Sequence, residues 1–314
     1  MKKISTFLLV YLALTILLVA CSKGEVDNTN NKTSTHDTEI NQNNVATSSK
    51  NDIKDDQSLV ETEPNAIGSE SDQEVLACKL IERVEEADSN IFLLAGEGEF
   101  DLFHANFNNA EIIIDNEESN VEDLKNGMQL DVYYSGIVQE SYPAIPVDIR
   151  KVVATSPQKG DYSDLVTLYT QVLIDLLEDD RALNEDINFI GLELGNAPGN
   201  LNKSEINAIA YLLQNEQNNK AIEPIPQVII GSYQEFVDQG YIDEEKLVWE
   251  DGVLLTIELP NPTDRGCLIS NQDFLFDATK WRSGIGAIFW LDCSVTWDDA
   301  GYWESYEIGA FAIS

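Results

Sequence analysis

The sequence predicts a mixed fold in two parts: a small closed β-barrel, then an α+β domain whose C-terminal sheet is mainly antiparallel. Three observations carry that expectation. Residues 74–156 alternate apolar and polar side chains with period two and hold no long amphipathic helix. Residues 157–314 open with apolar stripes at three- and four-residue steps and close with alternating runs around tight turns. Between them, Ser156-Pro157-Gln158-Lys159-Gly160 interrupts both patterns and reads as a linker.

In chain order, residues 1–21 come first. A basic start, Met1-Lys2-Lys3, precedes an apolar run from Phe7 to Val19 that is short for a full membrane span. The run closes on Leu18-Val19-Ala20-Cys21, which resembles the lipobox of bacterial lipoprotein signal peptides. That resemblance implies cleavage before Cys21, a diacylglyceryl thioether on its sulfur, and anchoring at the extracytoplasmic face of the cell membrane. Residues 22–73 are rich in Asn, Ser, Thr, Asp, Glu and Lys and contain no aromatic residue. Such a segment cannot bury enough apolar surface to fold, so it is expected to be a disordered acidic tether. Its root-mean-square span would be roughly 40 Å.

The barrel region, 74–156, is expected to contain strands near Val75–Val84, Ile91–Gly96, Phe100–Phe107, Glu111–Ile114, Met128–Tyr134 and Ile145–Arg150, with a helical turn at Val121–Lys125. Five or six short strands and one turn fit a small barrel of the OB type. In the region 157–314, Tyr162, Leu165, Val166, Tyr169, Val172, Leu173, Leu176 and Leu177 form one helical stripe with Asp161 as a candidate N-cap. Ile187–Leu194 and Val228–Ile230 read as strands. Asn202 with Glu205, and Ser232 with Glu235, have capping-box spacing, and Gly240 is placed to stop the second of these helices. Asp251-Gly252 predicts a hairpin between Leu247–Glu250 and Val253–Leu259. A last hairpin is expected to turn at Asp298-Asp299-Ala300-Gly301.

Two phrases carry a family resemblance. Gly136-Ile137-Val138-Gln139-Glu140-Ser141-Tyr142-Pro143 resembles a segment of small-barrel domains in uncharacterised Gram-positive lipoproteins. Phe276-Asp277-Ala278-Thr279-Lys280-Trp281-Arg282-Ser283-Gly284 is similar to C-terminal domains of uncharacterised Gram-positive surface proteins. The resemblance implies a fold and a location, and it implies no activity.

The formal net charge is −37, and each region is acidic: −7 over 22–73, −12 over 74–156 and −20 over 157–314. Nucleic acid and anionic membrane surfaces are repelled by such a chain, whereas cations, basic peptides and neutral sugars stay open as partners. Besides Cys21, three cysteines remain, and an odd remainder is not a disulfide framework. Cys78 reads as a small core residue, while Cys267 and Cys293 could pair or stay apart.

No nucleophile elbow, P-loop, zincin motif or calcium loop occurs, so no catalytic residue, metal ligand or cofactor is assigned. Asp101, His104 and Asp115 could gather around the folded region's one histidine, or stay apart as surface groups. Asp175 and Glu178-Asp179-Asp180 crowd a helix C-terminus, where carboxylates are unfavourable and a hard cation such as calcium would relieve repulsion. The bland alternative is a solvated end paired with Arg181. All five tryptophans lie in 249–303 and read as core or cross-strand residues before sugar platforms. Lys280-Trp281-Arg282 combines charge, forked donors and a stacking face, so it is the candidate site for an anionic ligand group. Internal pairing with the domain's own acids is its alternative. The functional expectation is a membrane-anchored, non-catalytic lipoprotein that binds a cell-surface ligand or protein. Its runner-up is a hydrolase using paired carboxylates, distant in sequence, on cell-wall polymer.

Overall fold

The structure is a computed structural model that describes residues 73–84, 90–98, 101–220, 224–260 and 274–314. Cys21 and its signal stretch, the tether up to residue 72, and Cys267 lie outside these residues. Within them the fold is mixed and strand-rich, with two seven-stranded sheets and three α-helices.

The first sheet is built from β1 (Glu74–Val84), β2 (Ile91–Ala95), β3 (Leu102–Asn106), β4 (Glu111–Ile114), β5 (Glu117–Ser119), β6 (Gln129–Tyr134) and β9 (Lys151–Thr155). Between β6 and β9 a separate short ribbon pairs β7 (Val138–Gln139) with β8 (Ile145–Pro146). The sheet order is β3-β2-β1-β6-β9-β4-β5, and only β4 with β9 is parallel. Period-two alternation sends Cys78, Leu80, Phe92, Leu94, Leu130, Val132, Val152 and Ala154 to one core. There the Phe92 and Phe107 rings stack 5.0 Å apart. Alternation sends neighbouring Leu80 and Ile81 of β1 to two different cores, and a register shift follows between Leu80 and Glu82.

The strand expected over Ile145–Arg150 is displaced. Asp148 adopts φ 55°, a left-handed conformation that ends the extended run, and the ladder resumes three residues later as β9.

The rest of the chain runs α1 (Leu165–Glu178), β10 (Phe189–Glu193), α2 (Lys203–Lys220), β11 (Gln227–Ile230), α3 (Tyr233–Asp238), β12 (Gly252–Glu258), β13 (Leu275–Ser283), β14 (Gly286–Trp297), β15 (Trp303–Glu307) and β16 (Ala310–Ile313). Both capping boxes form: Glu205 N donates to Asn202 Oδ1 at 2.8 Å, and Glu235 N donates to Ser232 Oγ at 3.2 Å. The N-cap of α1 is Asp164, three residues later than Asp161.

The second sheet departs from the expected antiparallel plan at one end. Strand β10 pairs in parallel with both β11 and β12, and antiparallel pairing begins only at β13. The Asp251-Gly252 hairpin does not form. Asp251 O instead accepts the Asn188 and Phe189 N–H groups, which launches β12 alongside β10. Trp249 is fully buried, and a Cβ on Gly252 would lie 2.2 Å from its indole, so the glycine serves the close approach of this ring rather than a hairpin turn.

Helices α1 and α2 cover one face of this sheet, packing on Ile190, Leu192, Val253, Leu255, Phe276, Ala278, Ile288 and Trp290. Ile81, Leu93, Ala95 and Leu102 of the first sheet join the same cluster, so the helix pair is shared between the sheets. Three polar contacts reinforce the junction: Lys79 pairs with Glu205, Ser204 Oγ donates to Asp101 O at 2.7 Å, and His104 Nε2 lies 3.4 Å from Tyr211 Oη. The opposite face carries a smaller cluster of Phe236, Ile242, Trp249 and Leu254 under α3.

At the start of α1, the buried Asp164 carboxylate accepts Thr167 Oγ1 at 2.6 Å, and the Trp303 indole donates to that same hydroxyl at 2.9 Å. Burial raises the Asp164 pKa to about 7, although the bonds from Thr167 and Trp303 and the charge of Lys79 oppose the rise. The folded state therefore keeps a proton that the unfolded chain releases near 3.8. Its contribution to stability is full below that lower value, falls as pH rises through the window, and is lost above about 7. Asp164→Asn keeps an acceptor for Thr167 without the charge. The variant is expected to match the parent near pH 4 and to exceed it in melting temperature at pH 8. Equal melting temperatures at both pH values would show that this carboxylate is solvated.

Candidate functional site

In a sheet with parallel strands, ligands settle at the carboxyl ends, where the chain leaves for its helices. Here β10 ends at Glu193 and continues through Leu194-Gly195-Asn196 towards α2, while β11 ends at Ile230 and passes Gly231-Ser232 into α3. A cleft of about 570 Å³ opens between these exits. Leu192, Ile206 and Ile230 give it apolar walls, and Glu193, Asn207 and Glu235 give it polar ones. The volume falls within the roughly 300–1,000 Å³ of ordinary ligand sites.

The electrostatics at this end of the sheet are unusual. Burial pushes the half-buried Glu193 carboxyl up and Glu235 adds to the rise, while the Tyr233 N–H partly offsets it. Glu258 ends β12 and lies opposite Asp277 of β13. It is exposed on one side, yet its pKa is also raised, first by burial and then by Asp277 and Glu193. Asp277 is buried and accepts the Asp292 N–H at 2.8 Å. Three strands thus bring three acids into mutual range, where each resists ionisation of its neighbours. Such a group holds its protons more tightly than isolated carboxyls do and favours a cationic group such as an amine. Sequence reading missed it because Glu193, Glu258 and Asp277 are remote along the chain, and only the parallel register of β10 with β12 and the antiparallel register of β12 with β13 bring them together.

Lys280-Trp281-Arg282 is placed otherwise than the sequence suggested. Lys280 is 0% exposed, and its ammonium donates to Leu177 O at 3.2 Å, Asp180 O at 3.1 Å, Asn184 Oδ1 at 3.3 Å and also Asp179 O. Arg282 Nη1 donates to Leu183 O at 3.0 Å and Glu185 O at 2.7 Å, while Nη2 donates to Glu250 O at 2.8 Å. Trp281 stands edge-on to Tyr233 at 5.6 Å. The bases bond to carbonyls rather than facing outward as a clamp for an anion, because alternation along β13 aims both at the end of α1.

That placement also accounts for the acids of α1. Lys280 supplies the cation that the crowded C-terminus calls for, and Trp290 Nε1 donates to Asp179 Oδ2 at 3.2 Å. Glu178 is held below its ordinary range by its bond from Lys220 and by Arg181. Burial lowers Lys280 to about 8 against the pull of Asp180, Asp179 and Glu178, so it remains mostly charged at neutral pH.

The group suggested around His104 is not assembled as a site. Asp101 Oδ2 takes the Gly98 N–H at 2.7 Å, Asp115 Oδ1 takes the Ser156 N–H at 3.0 Å, and His104 meets Tyr211. The five tryptophans are buried or half-buried, with Trp249 and Trp290 in the two clusters on opposite sheet faces. Cys78 and Cys293 are buried in separate cores, and any pairing with Cys267 lies outside the described residues. Among the described residues, no group of three or more His, Cys, Asp or Glu is arranged to hold a metal ion.

Removal of the Lys280 charge tests its capping role. Lys280→Met leaves buried carbonyls without donors and is expected to cost about 3 kcal/mol or more in urea denaturation, with Arg282→Ala costing about 1–3 kcal/mol. A Lys280→Met variant as stable as the parent would show that the end of α1 needs no cation.

Comparison of the chain with protein-family models and with curated proteins finds no match, and its functional reading rests on the geometry of the cleft.

Proposed function

We propose that the chain is an extracytoplasmic lipoprotein, held at the membrane through lipid on Cys21 and spaced from it by residues 22–73. Its folded part is a ligand- or partner-binding module without catalytic machinery. The cleft at the carboxyl ends of β10 and β11 is the observation that carries this reading. Its apolar walls offer contact area, Glu193 and Glu235 favour a cationic group, and the charge of the chain excludes nucleic acid. A peptide with a free amine, of the kind found in bacterial wall, suits that chemistry.

Residues 74–156 are on this reading an OB-type barrel, and 157–314 a second, α+β domain. Support for the barrel comes from the order in which the sheet is built. An antiparallel meander β3-β2-β1 continues through β6 and β9, and β9 then pairs in parallel with β4, the next strand after β3 in the chain. If β3 and β4 act as two halves of one bent strand, the sheet closes on itself.

One observation favours the hydrolase as a second reading. Glu258 and Asp277 face each other in register with Glu193 in range, and raised carboxyl groups are what a general acid requires. In that case the protein should release reducing ends from purified wall polymer, and Glu258→Gln should abolish the release.

Lipid attachment is tested by palmitate labelling in cells. Label should enter the protein and disappear on Cys21→Ala, whereas label persisting in that variant would remove the anchor from the proposal. The cleft is tested by thermal shift with an amine-bearing wall peptide and with its N-acetylated form. The free amine should raise the melting temperature more than the acetylated form, and Glu193→Gln should weaken binding about tenfold or more. Equal shifts for the two peptides, or no effect of Glu193→Gln, would exclude the cleft as the binding site.

A further inference from the structure

The far edge of the second sheet is formed by β15 and β16 in line, both paired with β14, with a break opposite Asp292, which adopts φ 55°. No described strand pairs with their outer side. All four residues of β16 are exposed, including Phe311 at 51% and Ile313 at 63%. In register, Phe311 lies opposite Trp290 and Ile313 opposite Ile288. Cross-strand neighbours project from the same face, so these two side chains continue the apolar surface that α1 and α2 cover farther in.

The backbone polarity follows from one bond. Ser314 N donates to Ala287 O at 3.0 Å, which makes that pair a hydrogen-bonded one. By the alternation of an antiparallel ladder, Ala312 and Ala310 also bond inward, and Phe311 and Ile313 turn their N–H and C=O groups outward. Soluble proteins blunt such an edge with proline, lysine, an inward charge or a covering element. The stretch Trp303–Ser314 contains no proline, lysine or arginine, and its charged residues are Glu304 and Glu307, both exposed.

We propose that this edge receives an extended segment of a partner protein, alternating apolar and basic residues, which adds to β16 as a further strand. Strand addition satisfies the outward N–H and C=O groups of Phe311 and Ile313, and the segment's apolar side chains pack beside those two residues. Its basic side chains meet Glu304 and Glu307 along the same edge. Charge selects this occupant over two others. A second copy would bring the same acids edge to edge on a chain of net charge −37, and the chain's own segment 22–73 carries −7 and no aromatic residue. This inference is independent of the cleft reading, because it uses neither Glu193 nor the parallel strands.

The test is fluorescence anisotropy of the full chain in detergent with labelled short peptides. One alternates lysine and valine, a second has the same residues with N-methylated valines, and a third replaces lysine by glutamate. The lysine–valine peptide is expected to bind, and the N-methylated one at least about tenfold more weakly, since it lacks ladder donors. The glutamate peptide should not bind. The double variant Phe311→Lys with Ile313→Lys, whose altered side chains are exposed and leave the core intact, should lose the interaction while melting like the parent. Glu304→Lys with Glu307→Lys should transfer preference to the glutamate peptide, which keeps the test open even if the first variant folds poorly. Equal binding of the methylated and unmethylated peptides would overturn the proposal, leaving electrostatic adhesion alone. Concentration-dependent self-association of the parent that the double variant abolishes would overturn it in favour of a second copy.

Discussion

An α-helix ends in carbonyls that need donors, and α1 ends against a sheet with acids crowded into its last turn. Asp180 turns the chain with φ 43°, so that successive carbonyls converge instead of fraying into solvent. Lys280 fills the point of convergence. Because side chains alternate along β13, Arg282 points the same way and ties the 3₁₀ turn at Arg181–Asn184 to the strand's own layer. Trp281 points oppositely, into the cluster under α3. Three consecutive residues thereby fix β13 to the structures on both of its faces. The remaining strands inherit their positions from that one, since β12 and β14 pair with it directly.

Local physics was legible in the sequence, and direction was not. The stripe through Tyr169, Val172, Leu173 and Leu176 announced α1, and the Asn202–Glu205 and Ser232–Glu235 spacings announced the starts of α2 and α3, because each signal lies within a few residues. Asp251-Gly252 misled for the opposite reason. A hairpin turn is local, but the buried Trp249 and the parallel partner Phe189 are not, and tertiary packing overrode the turn. The strand order βαβ over 189–258 was visible as alternating patterns, yet nothing nearby said that β10 pairs with two strands at once. The basic tripeptide stood out in an acidic domain, but one-dimensional spacing does not say whether β13 aims Lys280 at solvent or at a helix end. The acids at the strand ends were silent for the same reason, since Glu193 and Glu258 acquire meaning only through register.

The way the bases are used shows how so acidic a chain folds at all. Lys280 and Arg282 bond to carbonyls, Lys79 pairs with Glu205 beneath the first sheet, and Glu178 collects both Lys220 and Arg181. Lys79 and Lys280 are placed where a buried carboxylate or carbonyl would otherwise be left without a partner, and there they act without much screening by salt, unlike the exposed Arg181. The exposed pairs Lys159–Asp299 and Lys246–Asp243 add little by comparison. With Lys79, Lys280 and Arg282 committed to internal partners and 56 acids against 19 bases, the protein presents a largely acidic surface.

Parallel pairing and the free edge lie on opposite sides of the same sheet, and one cause links them. Strands β10, β11 and β12 are parallel because α2 and α3 carry the chain back over the sheet, which leaves their carboxyl ends open as a cleft. From β13 onward the connections are tight turns, so no helix returns over the outermost strands, and Phe311 and Ile313 extend past the cover that α1 provides. The change from helical crossovers to hairpins along the chain thus creates two kinds of surface. One is concave and lined by Glu193, whose carboxyl resists ionisation, and by Glu235, which Ser232 holds ionised. The other is a straight edge whose backbone groups await a strand. A cation-bearing small ligand fits the first and a basic extended segment the second. On the two proposals the same acidic excess would recruit both, while shape and hydrogen bonding would keep them apart.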